Sequence, residues 1–317
     1  MNLRIGSRGS QLALWQANHI AGLLRGQGHA VEIQIIRTTG DRLQEVSFAE
    51  VGSKGMFTKE IEEALADRRV DLAVHSLKDL PTELPAPFAL VATPPRVDPR
   101  DALVSVRYAS LEALPNAARV GTSSQRRRAE LKALRPDIEA VEFRGNVDTR
   151  LRKLGEGQVD AILLAAAGLD RLGRTDWVRQ RLNPKDFCPA AGQGCLGIET
   201  RRDDAETRAA VAFLDDDDTR FAVTAERAAL AELGGGCQVP IGVYCRPAPE
   251  AKDTNGAMRE DEIFAVVAHP ETGEVVRVHH SAPRAGGDAI ALGRLVARML
   301  LDRGAGPLLA PAAGDAQ

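Results

Sequence analysis

Twice along this chain a strand pattern alternates with a helix pattern, and a burst of proline separates the two stretches. No other feature narrows the fold as much. Residues 1–6 form a short strand, and Ser10 stands where a cap belongs, ahead of Ala13, Ala17, Ile20, Ala21 and Leu24 at helical spacing. Val31, Ile33 and Ile35 alternate as a second strand, and a helix near 58–69 leads into a third, Val70 to His75. This β-α-β-α-β order implies a parallel sheet with covering helices. Pro81, Pro85, Pro87, Pro94, Pro95 and Pro99 then predict a crossing to another domain.

The second unit repeats the pattern. A strand at Arg119-Val120 runs into Gly121-Thr122-Ser123-Ser124, followed by a helix with Ala129, Leu131 and Leu134. Ile138, Val141 and Phe143 read as a strand, Val147, Leu151 and Leu154 as a helix, and Val159 to Leu164 as a further strand. Cys195 to Glu199 reads as a strand returning to the first unit. Two α/β units joined in this way commonly enclose a ligand cleft. Beyond Asp215-Asp216-Asp217-Asp218, an acidic run suited to a solvated helix start, the pattern changes. A helix is expected from Thr219 to Leu233. Strands follow at Ile241–Arg246, Ile263–His269 and Glu274–Ser281, and a last helix starts at Asp288. The expected class is α/β, with two α/β domains, residues 1–94 with 195–212 and residues 95–194, plus a smaller C-terminal α+β domain, 213–317.

At 317 residues the chain has room for two or three cores. A net charge of −3 gives no global case for nucleic acid or a membrane as partner. Aromatic content of 4% leaves few platforms for stacking bases. Nothing approaches the roughly 18 uninterrupted apolar residues of a membrane span, and the basic N-terminal residues have no apolar run behind them. A cytoplasmic chain is expected, and nothing demands more than a monomer. Cysteines 188, 195, 237 and 245 show no C-x-x-C pair and no zinc spacing, so free thiols and no metal are expected. His279 and His280 would point to opposite faces of a strand, which speaks against a shared metal.

Several stretches carry possible chemistry. Gly234-Gly235-Gly236-Cys237-Gln238 places a thiol on a tight loop between a helix end and a strand. Cys237 there is either a small buried hydrophobe or a reactive group held in place. His75-Ser76-Leu77-Lys78-Asp79-Leu80-Pro81 closes a strand, where open α/β sheets bind ligands. Asp79 suits an N–H group or a developing cation and Lys78 a carboxylate; an ordinary polar loop with a surface ion pair is the competing reading. Gly121-Thr122-Ser123-Ser124-Gln125-Arg126-Arg127-Arg128 combines a helix start with arginine forks, a ready anion site. Arg144, Arg150, Arg152 and Lys153 extend this strip, and Arg8, with Ser7 and Gln16 near it, forms a third cationic group. A small molecule with several carboxylates suits such a strip better than nucleic acid. Lys54 and Lys59 flank Gly55-Met56-Phe57, in a 43–57 loop that is either a flap or a plain surface connection.

Taken in order, Arg4-Ile5-Gly6-Ser7-Arg8-Gly9-Ser10, His75-Ser76-Leu77-Lys78-Asp79, Gly121-Thr122-Ser123-Ser124 with its arginines, Arg144-Gly145-Asn146-Val147 with Thr149-Arg150, Gly192-Gln193-Gly194 and Gly235-Gly236-Cys237 resemble the porphobilinogen deaminase family. The resemblance covers nearly the whole chain. It implies two periplasmic-binding-protein-like α/β domains and a third domain whose cysteine, here Cys237, carries a dipyrromethane cofactor by thioether. It implies head-to-tail condensation of four porphobilinogen molecules to hydroxymethylbilane, each losing ammonia. It assigns Asp79 to stabilising the cation formed in that reaction, and Lys78, Ser124, Arg126 and Arg127 to the cofactor's acid side chains. Arg8, Arg144 and Arg150 fall to the substrate or growing chain, and Lys54 and Phe57 to a mobile loop. Residues 246–262 read as an exposed insertion. A non-catalytic two-lobed binding protein or regulator for a polycarboxylate is the alternative; it leaves Cys237 without a task.

Overall fold

The structure, a computed structural model, describes residues 1–39, 58–235, 239–248, 260–284 and 287–309. A first five-stranded sheet contains β1 (Asn2–Ser7), β2 (Ala30–Ile35), β3 (Leu72–Ser76), β4 (Phe88–Ala92) and β10 (Leu196–Arg201), ordered β2-β1-β3-β10-β4. Helix α1 (Gln11–Gly26) begins where the Ser10 hydroxyl accepts the Ala13 N–H at 3.3 Å. Its Ala17, Ile20, Ala21 and Leu24 are fully buried against the sheet. An isoleucine or leucine buried this way contributes about 1.5–3 kcal/mol. Helix α2 (Lys59–Ala66) buries Ile61, Ala64 and Leu65 beside Val70 and Phe88.

The second sheet contains β5 (Asp101–Val104), β6 (Arg119–Gly121), β7 (Glu139–Val141), β8 (Ala161–Ala165) and β9 (Val178–Arg181), ordered β7-β6-β8-β5-β9. Helices α3 (Gln125–Leu134), α4 (Val147–Gly155) and α5 (Ala166–Arg171) connect or follow its strands. Apolar clusters fill both of its faces, one around Leu103, Val120 and Leu163, the other around Val104, Ile162 and Leu164.

Neither sheet is wholly parallel, as the alternation led us to expect. β1 pairs in parallel with β2 and β3, but β10 is antiparallel to β3 and β4. In the second sheet β6 is parallel to β7 and β8, while β5 is antiparallel to β8 and β9. The cause is topological. β5 and β10 are each the first strand after a crossing between sheets, so each starts at the cleft edge and runs away from it. β4 and β5 lie in the proline-dense stretch, where Pro85, Pro87, Pro94, Pro95 and Pro99 flank the strands without interrupting them.

The crossing segments touch. Val97 N–H donates to the Gly194 carbonyl at 3.4 Å. Gly194 has φ of +88°, and a Cβ there would lie 2.7 Å from the Val97 oxygen, so only glycine fits.

After α6 (Ala205–Val211) comes α7 (Asp217–Glu232), then an antiparallel sheet of β11 (Ile241–Pro247), β12 (Glu260–Ala268) and β13 (Val275–Pro283). Helices α8 (Ala289–Asp302) and α9 (Gly306–Leu309) complete it, and Asp288 caps α8 by accepting the Ile290 N–H at 2.8 Å. Ala225, Ala229, Val243, Ile263, Val296 and Leu300 form its core. The acidic run before α7 is more than a solvated start. Asp216 caps the helix through the Thr219 N–H at 2.8 Å, and Asp215 accepts the Thr93 N–H at 2.7 Å. Buried Glu226 of α7 pairs with Arg96 of the crossing segment and accepts the backbone N–H groups of Gly192 at 2.7 Å and Cys245 at 2.8 Å. The third domain is thereby fastened to both crossings. Among the described residues no helix is long and apolar enough to cross a membrane.

Candidate active site

The strand ends of the two α/β sheets carry most of the sequence-derived candidates, in the crevice where such sheets bind ligands. β3 ends at Ser76 and passes into a single tight turn, Leu77–Asp79. Leu77 is buried beneath the turn, which leaves Asp79 exposed at the cleft and Lys78 partly buried. Arg8, after β1, lines the same pocket as Asp79, together with Ser10, Gln16, His75 and Ser76. Buried Gln16 donates to the Ser76 hydroxyl at 2.8 Å, tying α1 to the end of β3. The structure thus brings Arg8 and Asp79 together, from parts of the sequence 71 residues apart.

On the opposing sheet, Ser124 caps α3: its hydroxyl accepts the Arg127 N–H at 3.4 Å, and its own N–H donates to the Thr122 hydroxyl at 3.2 Å. The two arginines that follow enter a buried network. Arg126, 4% exposed, lies 2.8 Å from Asp101 and 3.0 Å from Glu130, and donates to the Cys188 carbonyl at 2.6 Å. Arg127, 6% exposed, lies 2.8 Å from Asp101 and donates to the Leu163 carbonyl at 3.0 Å. Burial alone would raise the Asp101 carboxyl, but Arg126 and Arg127 hold it well below the usual carboxylate range. Arg128 is paired with Glu142 at 3.3 Å. Arg144 donates to Glu142 at 2.6 Å, and Arg150 to the Gly145 carbonyl at 2.8 Å.

One side chain joins the two halves, and the sequence reading gave it no role. Gln193 accepts from the Lys78 ammonium at 3.2 Å and donates to the Pro99 carbonyl at 2.7 Å and to Asp101 at 3.1 Å. Its backbone carbonyl accepts from Arg96 at 2.9 Å. The signal that marks it is the pair of glycines around it, which place the chain in a conformation few other residues adopt. Asp101, the node beneath the arginines, had no signal, because its stretch reads as a linker.

Positive charge is crowded here. Burial, and next to it the Arg127 guanidinium, pulls the Lys78 ammonium down to about 8. Burial and again Arg127 pull Arg150 down to about 10. A buried cation that depresses its neighbours marks a place where a bound anion would be favoured, because the anion relieves the repulsion. A carboxylate-bearing ligand is what this arrangement can hold, with Asp79 the acidic group at its edge.

Cys237 lies outside the described residues, as do Lys54, Phe57, the whole 43–57 loop and residues 249–259 of the expected insertion. The loop's near flank is described. At Gly235 a Cβ would come within 2.6 Å of Leu230 and 2.9 Å of Ile241 and Val239, so the backbone at Gly235 is closely packed. The three described cysteines, 188, 195 and 245, are buried free thiols. Burial pushes Cys195 up to about 12 and raises the other two as well.

Residues 3–209 match the family model "Porphobilinogen deaminase, dipyromethane cofactor binding domain", and residues 220–302 match "Porphobilinogen deaminase, C-terminal domain". A porphobilinogen deaminase of Chromobacterium violaceum is 47% identical over 308 residues, covering 96% of this chain and 96% of that one. One of Syntrophobacter fumaroxidans is 48% identical over 311 residues, covering 97% and 96%. One of Nitratidesulfovibrio vulgaris (strain DP4) is 57% identical over 244 residues, covering 76% and 77%. Among solved structures, the methionine-binding protein MetQ is 14% identical at a TM-score of 0.43, covering 69% of this chain and 92% of that one, too distant to carry an argument. With two family models matched in order and full-length relatives near half identity, the chain belongs to the porphobilinogen deaminase family.

Proposed function

We propose that the cleft joins four porphobilinogen molecules head to tail into hydroxymethylbilane, releasing ammonia at each addition, on a dipyrromethane held by thioether at Cys237. The observation that carries this reading is the gathering of Lys78 and Arg127 about the Gln193–Asp101 node at the strand ends, with Arg127 adding to burial in lowering both Lys78 and Arg150, where a polycarboxylate would relieve them. Each porphobilinogen brings an acetate and a propionate, so the donor set fits both the cofactor and the chain that grows from it. The cofactor, when bound, supplies the free pyrrole carbon to which the first substrate is joined.

In this reading Lys78, Ser124 and Arg127 hold the cofactor's acid side chains. Arg126 belongs to the same set through Asp101, which it shares with Arg127. Arg8, Arg144 and Arg150 meet the carboxylates of incoming substrate. Loss of ammonia leaves positive charge on the substrate ring, and the Asp79 carboxylate stabilises it next to the pyrrole N–H. Cys237 anchors and is not turned over; the buried, raised thiols of Cys188, Cys195 and Cys245 leave that task to it. Domain limits at 1–94 with 195–212, 95–194 and 213–317 follow the same reading. So does a cytoplasmic monomer that acts on a small molecule, with neither nucleic acid nor membrane as partner.

The test is stoichiometric. Incubated with porphobilinogen, the chain should release one ammonia for each substrate consumed and one linear tetrapyrrole for every four. Saturable binding of porphobilinogen without ammonia release would instead make it a two-lobed binding protein.

A further inference from the structure

Gln193 is completely buried, and both ends of its amide are engaged. The amide carbonyl accepts from the Lys78 ammonium at 3.2 Å, and the amide nitrogen donates to the Pro99 carbonyl at 2.7 Å and to Asp101 at 3.1 Å. Turned over, the amide would set its NH₂ against the ammonium and its carbonyl against two acceptors, so the contacts fix its orientation. The backbone on either side is as constrained. Gly192 and Gly194 have φ of +72° and +88°, and a Cβ at Gly192 would lie 3.0 Å from Cγ of Leu77. The Leu77 N–H donates in turn to the Cys195 carbonyl at 3.0 Å. The turn that carries Lys78 and the segment that carries Gln193 are thus fastened on both sides of their contact.

A lysine ammonium is a point charge on a flexible four-carbon stem, so it holds a carboxylate in one place only when something orients it. The groups around Lys78 are Arg126 and Arg127 of α3, Asp101 of β5, Asp79 of its own turn and Gln193 of the crossing segment. Asp101 is already engaged with both arginines, at 2.8 Å each. A carboxylate in place of Gln193 would pair with the ammonium and compete with any incoming acid. An apolar side chain would take this acceptor from the ammonium and a donor from Asp101, where burial and Arg127 already pull Lys78 down to about 8. The amide avoids both. It accepts from a cation at one end, donates to an anion at the other, and consumes neither charge.

We propose that Gln193 is the positioning residue for Lys78, aiming its ammonium at the cofactor's carboxylates and keeping its charge available to them, an inference that rests on the reading of the cleft given above. The Gln193 carbonyl favours the ammonium over the neutral amine. Its anchorage at Pro99 and Asp101 sets the ammonium of one sheet in register with the arginines of the other. An acid side chain of the cofactor then meets cations from both sheets at once.

The experiment uses the full chain, first with Cys237→Ser so that the cofactor is absent. The ¹³Cε shift of Lys78, assigned by its loss in Lys78→Met, is followed against pH. Gln193→Met removes the acceptor at similar length, and Lys78 should then titrate about one pH unit or more below the parent, the scale of one lost hydrogen bond to a charged group. Gln193→Glu keeps the shape and supplies a charged acceptor, and Lys78 should titrate above the parent. With Cys237 intact, attachment of the cofactor from porphobilinogen is then timed by intact mass. Both substitutions should slow it about tenfold near pH 8, since an ammonium that titrates one unit lower is charged up to about tenfold less often. Gln193→Met should recover towards about pH 6, where Lys78 regains its proton, and Gln193→Glu should not. A purely structural Gln193 would lower stability in both variants and leave the Lys78 titration in place. An unchanged titration in both, or attachment within about twofold of the parent in both, overturns the proposal. Should Gln193→Met not fold, Gln193→Glu decides alone, because it must raise the titration while slowing attachment. A parent chain that gains no mass from porphobilinogen overturns the reading of the cleft itself, and the Lys78 titrations still decide the part played by Gln193.

Discussion

Asp101→Asn isolates the buried node on which the arginine cluster rests. The carboxylate is completely buried, 2.8 Å from Arg126, 2.8 Å from Arg127 and 3.1 Å from Gln193. Asparagine keeps the volume and an acceptor for Gln193 but removes the charge. Arg126 retains Glu130 at 3.0 Å, whereas Arg127 retains the Leu163 carbonyl at 3.0 Å as its remaining side-chain hydrogen bond among the described residues. Removing one partner of a buried pair typically costs about 3–5 kcal/mol, because the other charge is left uncompensated. Against a total stability of roughly 5–15 kcal/mol that is a large fraction. Urea unfolding at pH 7 should show the midpoint falling by about 1 M or more with little change in slope, for a slope of up to about 3 kcal/mol/M. The sign with pH follows from the depressed folded-state value. The contribution of Asp101 is fully present above the ordinary 3.8 and is lost as pH falls through the lower folded value. The gap between parent and variant should therefore be full at pH 7 and narrow below pH 3.8. A gap under about 1 kcal/mol at pH 7, the size of an exposed ion pair, would refute the reasoning.

Other residues give independent tests. Asp79→Asn should retain the cofactor adduct but lose roughly 3 kcal/mol of transition-state stabilisation, about 150-fold in kcat, on the scale of one lost electrostatic group; near-parental turnover would remove Asp79 from its role. Lys78 has a folded value of about 8 against an ordinary 10.5, so the folded chain holds fewer protons than the unfolded chain between those values, and stability from this group rises with pH across that window. In a Cys237→Ser background, Lys78→Met should accordingly be more stable than its parent below pH 8, by an amount that shrinks towards pH 10.5 in thermal melts. Gly194→Ala places a methyl group 2.7 Å from the Val97 carbonyl at a φ of +88° and should lower stability by about 1–3 kcal/mol, measured by urea unfolding.

The parts of the fold that were legible in the sequence are those governed by local rules. The helices after Ser10, Ser124, Asn146 and Asp288 start where their caps stand, each side chain accepting a backbone N–H from its own first turn. The three antiparallel strands of the last domain follow their alternation. Strands β4 and β5 were hidden because proline marks the ends of strands as readily as it marks linkers. The antiparallel placement of β5 and β10 follows from the chain crossing twice between sheets, which no local pattern records. For the site, residue type and position at strand ends were enough to single out Arg8, Lys78, Asp79 and the arginines after Ser124. The depth of Arg126 and Arg127 was not legible, because it depends on Asp101 and Glu130 arriving beneath them. The joining role of Gln193 depends likewise on three segments meeting.

The most direct measurement of the central claim is the intact mass of the purified chain before and after Cys237→Ser. The account predicts that the parent carries the added mass of two deaminated porphobilinogen units, that this mass survives turnover, and that Cys237→Ser lacks it and is inactive. An unmodified parent that still converts porphobilinogen, or an adduct that persists in Cys237→Ser, would contradict it.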